Sequence, residues 1–106
     1  MSLQVSVVIP AYNEEELLPQ LLDSLNSQEF REFEVIVADA HSEDRTAAIA
    51  KEKGARLVEG GMPARGRNAG AEEARGRFLL FLDADVRVPP EFVGNVHDEM
   101  ERRYAD

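Results

Sequence analysis

Four short apolar runs, each separated from the next by a segment of helical periodicity, constrain this chain more than any other feature. They are QVSVVI (4–9), FEVIVAD (33–39), ARLVEG (55–60) and RFLLFLDAD (77–85). Their β-branched and aromatic residues predict buried strands, and none approaches the roughly 20 apolar residues of a membrane-spanning helix. Between them lies NEEELLPQLLDSLNSQ (13–28), with Leu17, Leu18, Leu21, Leu22 and Leu25 at helical spacing. Asn13 is the expected N-cap, the three glutamates after it suit the positive end of the helix dipole, and Pro19 fits a helix that starts near residue 16. SEDRTAAIAKEKG (42–54) predicts a second helix capped by Ser42 or Asp44 and ended by Gly54. PARGRNAGAEEARG (63–76) reads as an Arg- and Gly-rich turn leading into a small-residue helix, and PPEFVGNVHDEMERRY (89–104) as a last helix.

Strands alternating with helices require right-handed crossovers and a mainly parallel sheet covered on both faces. The expected fold is α/β: a Rossmann-like three-layer α/β/α arrangement with strand order 3-2-1-4. The 106 residues suffice for one small domain. The formal net charge of −9 argues against nucleic acid or an anionic membrane as partner, because both need a basic surface. A chain without cysteine and without an N-terminal basic and apolar signal segment is expected in a reducing compartment, the cytoplasm.

In an open parallel sheet, ligands bind beyond the carboxyl ends of the strands. The unusual polar residues collect at those ends: PAYNE (10–14) after the first strand, Asp39 after the second, and DAD (83–85) after the fourth. The MPARGRNAG segment (62–70) reaches the same edge with Arg65 and Arg67. Asp83 and Asp85 are two apart, so an extended backbone would point both carboxylates to one side. Two acids that close repel unless a cation sits between them, and hard oxygen ligands favour Mg²⁺ or Mn²⁺ completed by water and phosphate oxygens. The other reading of the pair alone is a solvated turn after a strand.

Taken together, VSVVIPAYNEEELL, FEVIVADAHSEDRT and GRNAGAEEARGRFLLFLDADV resemble, in order and over residues 4–93, the N-terminal half of a family 2 glycosyltransferase of the GT-A fold. The resemblance implies binding of a nucleotide-diphosphate sugar, a UDP- or GDP-sugar, for inverting sugar transfer. It implies that Pro10, Ala11, Tyr12, Asn13 and Glu14 line the nucleotide pocket and that Asp39 contacts the base. It makes Asp83, Ala84 and Asp85 the metal-binding D-x-D, with Asp83 and Asp85 as the Mg²⁺ or Mn²⁺ residues and Arg67 near the phosphates. Gly66, Arg67, Asn68 and Gly70 stand for the family's A-R-N-x-G, with glycine in place of alanine. The common D-D-G-S after the second strand is here Asp39, Ala40, His41 and Ser42. The motif is also similar to the opening of haloacid-dehalogenase-type phosphatases. There Arg87 stands where Thr or Val is expected, and the motif falls on the fourth strand instead of the first.

The expected single domain, 1–106, therefore ends before an acceptor-binding half, and no residue at a matched position supplies the catalytic base. The chain alone is expected to be inactive in transfer. The alternative is a non-catalytic nucleotide-binding fragment or module that associates with another subunit, or a homo-oligomer joined through surface that truncation exposes. His41 has no metal-ligand partner at useful spacing and reads as a loop residue. His97 reads as solvated, Arg65, Arg75 and Arg77 as surface charges, and DEMERR (98–103) as an exposed helical face.

Overall fold

A seven-residue strand of almost unbroken apolar character, β1 (Val5–Ala11), is the centre of the molecule. The structure, a computed structural model, describes residues 2–61 and 63–104, apart from the side chains of Pro63 and Ala64. Flanking β1 in parallel are β2 (Phe33–Asp39) and β4 (Phe78–Phe81), and β3 (Arg56–Glu59) pairs with β2. The strand order is therefore β3-β2-β1-β4, as the alternation predicts.

The register places Val5, Val7, Ile9 and Ala11 of β1 on one face with Val35 and Val37 of β2 and Leu80 of β4. That face forms the main core with Leu18, Leu21, Leu22 and Leu25 of α1 (Leu18–Asn26), Ala50 of α2 (Thr46–Glu52) and Val93 of α4 (Phe92–Tyr104). The opposite face is taken by α3 (Pro63–Glu73), which lies over β1, β2 and β3. It can lie this close because it carries glycine where it meets the strand. A side chain at Gly70 would overlap Val8, and one at Gly66 would stand 3.2 Å from the Pro10 ring. The segment predicted as a turn over 62–70 is consequently helical from Pro63, with Met62 outside the described residues.

Three further expectations are corrected. α1 begins at Leu18, with Leu17 at its N-cap and Pro19 in its first turn, so Asn13 does not cap it and no acid occupies its first turn. Instead Asn13 adopts φ 49°, and Glu15 to Leu17 form a turn entered from Glu14, whose carbonyl accepts from the Leu18 amide at 2.9 Å. Second, β4 stops at Phe81, so Asp83 and Asp85 sit in a turn closed by Val86 N–H to the Asp83 carbonyl at 3.3 Å. β4 is also less covered on the face that α3 shares with Ser6 and Val8: Leu79 is 38% and Phe81 41% exposed there. Third, His97 is not solvated. α4 lays its ring on Phe30 at 4.8 Å between centroids, edge-on to Phe78 at 6.1 Å, with Gln4 Oε1 3.3 Å from Nε2.

Neither Ser42 nor Asp44 is the N-cap of α2, which is Arg45, although Asp44 Oδ1 accepts from the Thr46 amide at 2.9 Å beside it. At its end Gly54 takes φ 85°, and the Gly54 and Ala55 amides return to the Lys51 and Ala50 carbonyls, a Schellman arrangement. Glu99 pairs with Arg102 and Arg103 on the exposed face of α4.

The exit of α3 is tied to the sheet by a polar cluster. Glu34 Oε2 accepts from the Ser6 hydroxyl and the Arg75 amide, both at 2.6 Å, and Oε1 accepts from Arg56 at 3.2 Å. Gly76 N–H donates to Ser6 Oγ at 2.7 Å, and a Cβ on Gly76 would come within 2.6 Å of the Ser6 amide. Burial alone would raise the Glu34 carboxyl; Ser6, the Arg75 amide and Arg56 outweigh it and hold the group below its ordinary value of 4.5. A depressed carboxyl contributes stability above the unfolded-state value and loses it as pH falls through the folded one. Glu34→Gln is therefore expected to lower stability near neutral pH by about 1–3 kcal/mol. In urea unfolding the gap between the two proteins should close as pH drops below 4.5.

Candidate nucleotide-binding site

The ends of β1 and β4 and the first turns of α3 enclose a cavity of about 310 Å³ at the carboxyl edge of the sheet. Pro10 and Ala11 line it from the end of β1, Tyr12 and Glu14 from the β1–α1 loop, Asp83, Ala84 and Asp85 from the turn after β4, and Arg67 from α3. Ala84 is buried at 4% exposure, anchoring the turn in the core, while the acids on either side of it are exposed. Both acids thus reach the lining of one cavity, from a turn and not from the extended backbone expected. Tyr12 is 55% exposed and lines the cavity.

The loops above the cavity are joined to each other by hydrogen bonds. Asn13 N–H donates to Ser42 Oγ at 2.8 Å, and Asn13 Oδ1 accepts from Glu43 N–H at 2.9 Å. Glu14 N–H donates to Thr46 Oγ1 at 2.8 Å, and Glu15 N–H to Asp44 Oδ2 at 3.2 Å. In return the Arg45 amide donates to Glu15 Oε1 at 3.1 Å. The β1–α1 and β2–α2 loops are therefore one hydrogen-bonded unit, with Thr46 fully buried at its base.

Two expected site residues are not among those lining the cavity. The side chain of Asn13 is spent on the Glu43 amide, so it shapes the loop. Asp39 belongs to a neighbouring recess with His41, Leu57, Val58 and Glu59. Its Oδ1 accepts from the Ser42 hydroxyl at 2.5 Å and its Oδ2 from the Ser42 amide at 3.1 Å. Conversely, the sequence reading passed over Gly61, which lines the cavity. The Gly60–Gly61 doublet at the end of β3 is its signal: a Cβ at Gly61 would overlap the Arg65 side chain, which would have to shift.

The donor set can be tested against a metal. Asp83 and Asp85 have no ion-pair partner among the described residues. No three His, Cys, Asp or Glu residues among the described residues are grouped as a metal cage. Two oxygen donors with open space beside them fit Mg²⁺ or Mn²⁺ and would not suffice for an all-protein site.

Comparison with known proteins places this geometry. The profile described as Glycosyl transferase family 2 matches residues 6–106, and the chain belongs to that family. It is 32% identical to the poly(ribitol-phosphate) beta-N-acetylglucosaminyltransferase TarS of Staphylococcus aureus, over 98% of this chain and 20% of TarS. It is 42% identical to the 4,4'-diaponeurosporenoate glycosyltransferase of Staphylococcus haemolyticus, over 79% of this chain and 24% of that protein. Among solved structures, S. aureus TarS 1–349 in complex with UDP-GlcNAc superposes with a TM-score of 0.81 at 32% identity, covering 94% of this chain and 32% of that one. Glucosyl-3-phosphoglycerate synthase of Mycobacterium tuberculosis with Mn²⁺, UDP and glucosyl-3-phosphoglycerate gives 0.73 at 28% identity, covering 86% and 37%. The fold is the GT-A fold of these neighbours. The chain spans between a fifth and a quarter of the length of the two sequence relatives.

Among the cavity residues, the Glu14 carboxyl is shifted by its surroundings. Burial, then the charge of Asp85, then that of Asp44 raise the Glu14 carboxyl above its ordinary value. Removing the Asp85 charge should bring Glu14 back toward that value. An NMR titration of Glu14 in Asp85→Asn is expected to show a lower midpoint than in the unaltered protein. An unchanged midpoint would mean the two groups do not share one field.

Proposed function

We propose that this chain is the donor-binding unit of an inverting glycosyltransferase that uses a nucleotide-diphosphate sugar, with UDP as the nucleotide. The observation that carries the reading is the convergence of Asp83, Asp85 and Arg67 on one cavity beside Tyr12 and the β1 loop. The UDP and UDP-GlcNAc complexes of its neighbours support the choice of donor, and the Mn²⁺ complex supports a divalent metal.

In this reading Asp83 and Asp85 hold Mg²⁺ or Mn²⁺ against the diphosphate. When bound, the metal offsets the negative charge that builds on the departing phosphate. Arg67 acts on the same charge through its planar guanidinium, which pairs with phosphate oxygens. Tyr12 offers a ring face to the nucleoside, Pro10 and Ala11 a close-fitting wall, and Glu14 an acceptor for hydroxyl groups. The acceptor hydroxyl oxygen attacks the anomeric carbon, the carbon–phosphate oxygen bond breaks, and a general base takes the hydroxyl proton. We assign that base and the acceptor site to none of the described residues. The cysteine-free composition suits a reducing setting such as the cytoplasm, and no described helix is long and apolar enough to cross a membrane.

Calorimetric titration tests the reading. UDP is expected to bind in the presence of Mn²⁺, to weaken at least tenfold without it, and to lose that metal dependence in Asp85→Ala. Absence of metal-dependent binding by either UDP or GDP would remove the donor site.

A second reading keeps the nucleotide site without catalysis: a binding module that pairs with another copy. The exposed Leu79 and Phe81 on β4 favour it. Light scattering at high concentration would then report a dimer; a monomer throughout would dismiss pairing.

A further inference from the structure

The loop between β2 and α2 carries a residue whose backbone asks for glycine. His41 has φ 58°, in the left-handed region where a Cβ is costly. In the family pattern to which DAHS corresponds, D-D-G-S, this position is glycine. The loop does not need the imidazole to hold its shape, since both Asp39 oxygens close it on Ser42 and the Ala40 amide donates to the Ala11 carbonyl at 2.9 Å. What histidine adds, at the cost of strain, is a ring beside Asp39. Strain kept where glycine would relieve it points to use of the side chain.

The ring has a defined setting. Nε2 lies 3.5 Å from Glu59 Oε1, and with Asp39, Leu57 and Val58 the two line a recess of about 210 Å³. The Ala40–Ala11 hydrogen bond on one side and the Asn13–Ser42 bond on the other bracket Tyr12 and His41, so the residue lining the cavity and the residue lining the recess stand on joined loops. The carboxylates of Asp39 and Glu59 only accept hydrogen bonds, so the recess favours a ring edge bearing N–H. The imidazole is the one side-chain donor among the recess residues. Apolar Leu57 and Val58 supply the remaining wall. Uracil presents an N–H between two carbonyls, which matches acceptors flanked by a donor. Cytosine turns an unprotonated ring nitrogen toward the acids and matches poorly.

We propose that His41 is a specificity-determining residue that donates a hydrogen bond to a carbonyl of a uracil held against Asp39. The inference rests on the donor-site reading above and adds to it the residue that selects the base.

Three ligands separate the roles, titrated with Mn²⁺ into the 106-residue chain: UDP, CDP and inorganic pyrophosphate. His41→Gly removes the ring and suits the backbone. His41→Asn also tolerates the left-handed conformation and keeps an N–H donor. His41→Gly is expected to melt at the same temperature or higher and to bind UDP about tenfold more weakly, the size of one hydrogen bond. Its preference for UDP over CDP should shrink, its affinity for pyrophosphate should stay unchanged, and His41→Asn should recover part of the loss. Equal UDP affinity in His41→Gly and the unaltered chain overturns the role of His41 while leaving the donor site standing. An equal loss for pyrophosphate also overturns it, because the effect would then be on the loop and not the base. An unaltered chain that binds none of the three with metal overturns both readings.

Discussion

A helix can lie directly on a sheet only where it presents no side chain, and the approach of α3 to β1 at Gly66 and Gly70 meets that condition. Much of the ligand edge depends on this contact. It seats the first turns of α3 beside Pro10, which carries Arg67 to the cavity, and it leaves Val8 with a close apolar partner. At the other end of the helix the chain must turn at once into β4. Gly76, with the Ser6 and Glu34 cluster, makes that turn possible without leaving a buried polar group unpaired. Close packing and polar satisfaction are thus the two ends of one device that fixes where β4 begins, and so where Asp83 and Asp85 emerge.

The loops at the edge follow a different logic. Parallel strands leave their connecting loops to be ordered by something other than the sheet ladder. Here small polar side chains extend the pairing of β1 and β2 beyond its last backbone bond. Ser42, Asp44 and Thr46 each receive an amide from the neighbouring loop, and Asn13 and Glu15 reciprocate. Such residues compete with the backbone for helix formation, which is why both helices start later than their capping signals suggest. A cavity wall built this way is set before any ligand arrives.

What the sequence reveals and what it conceals differ by physical scale. Strand order, the covering of the sheet and the grouping of polar residues at one edge follow from periodicity and chain crossover rules, which operate over whole segments. Asn13 reads as an N-cap because an N-cap and a left-handed loop residue have the same composition, and only the partner, Ser42 or Glu43, decides between them. The sequence extends β4 too far because Leu82 continues the apolar pattern while the chain already turns toward Ala84. His97 was read by its charged sequence neighbours, but its environment comes from Phe30 and Phe78, which are distant in sequence. Gly61 went unremarked because a glycine's role shows only once the Arg65 side chain that fills its space is known.

The two inner strands are seven residues long and the two outer strands four. The sheet is therefore a stiff spine with short margins. Hydrogen bonds of β1 and β2 are shielded on both faces, whereas those of β3 and β4 lie near strand ends and open more readily. The loops that meet the nucleotide grow from the spine, and the elements that border it from the margins. Local opening at β4 would shift Asp83 and Asp85, and opening at β3 the Leu57–Glu59 wall of the recess, while Tyr12 and Glu14 on the loop from the spine keep their places.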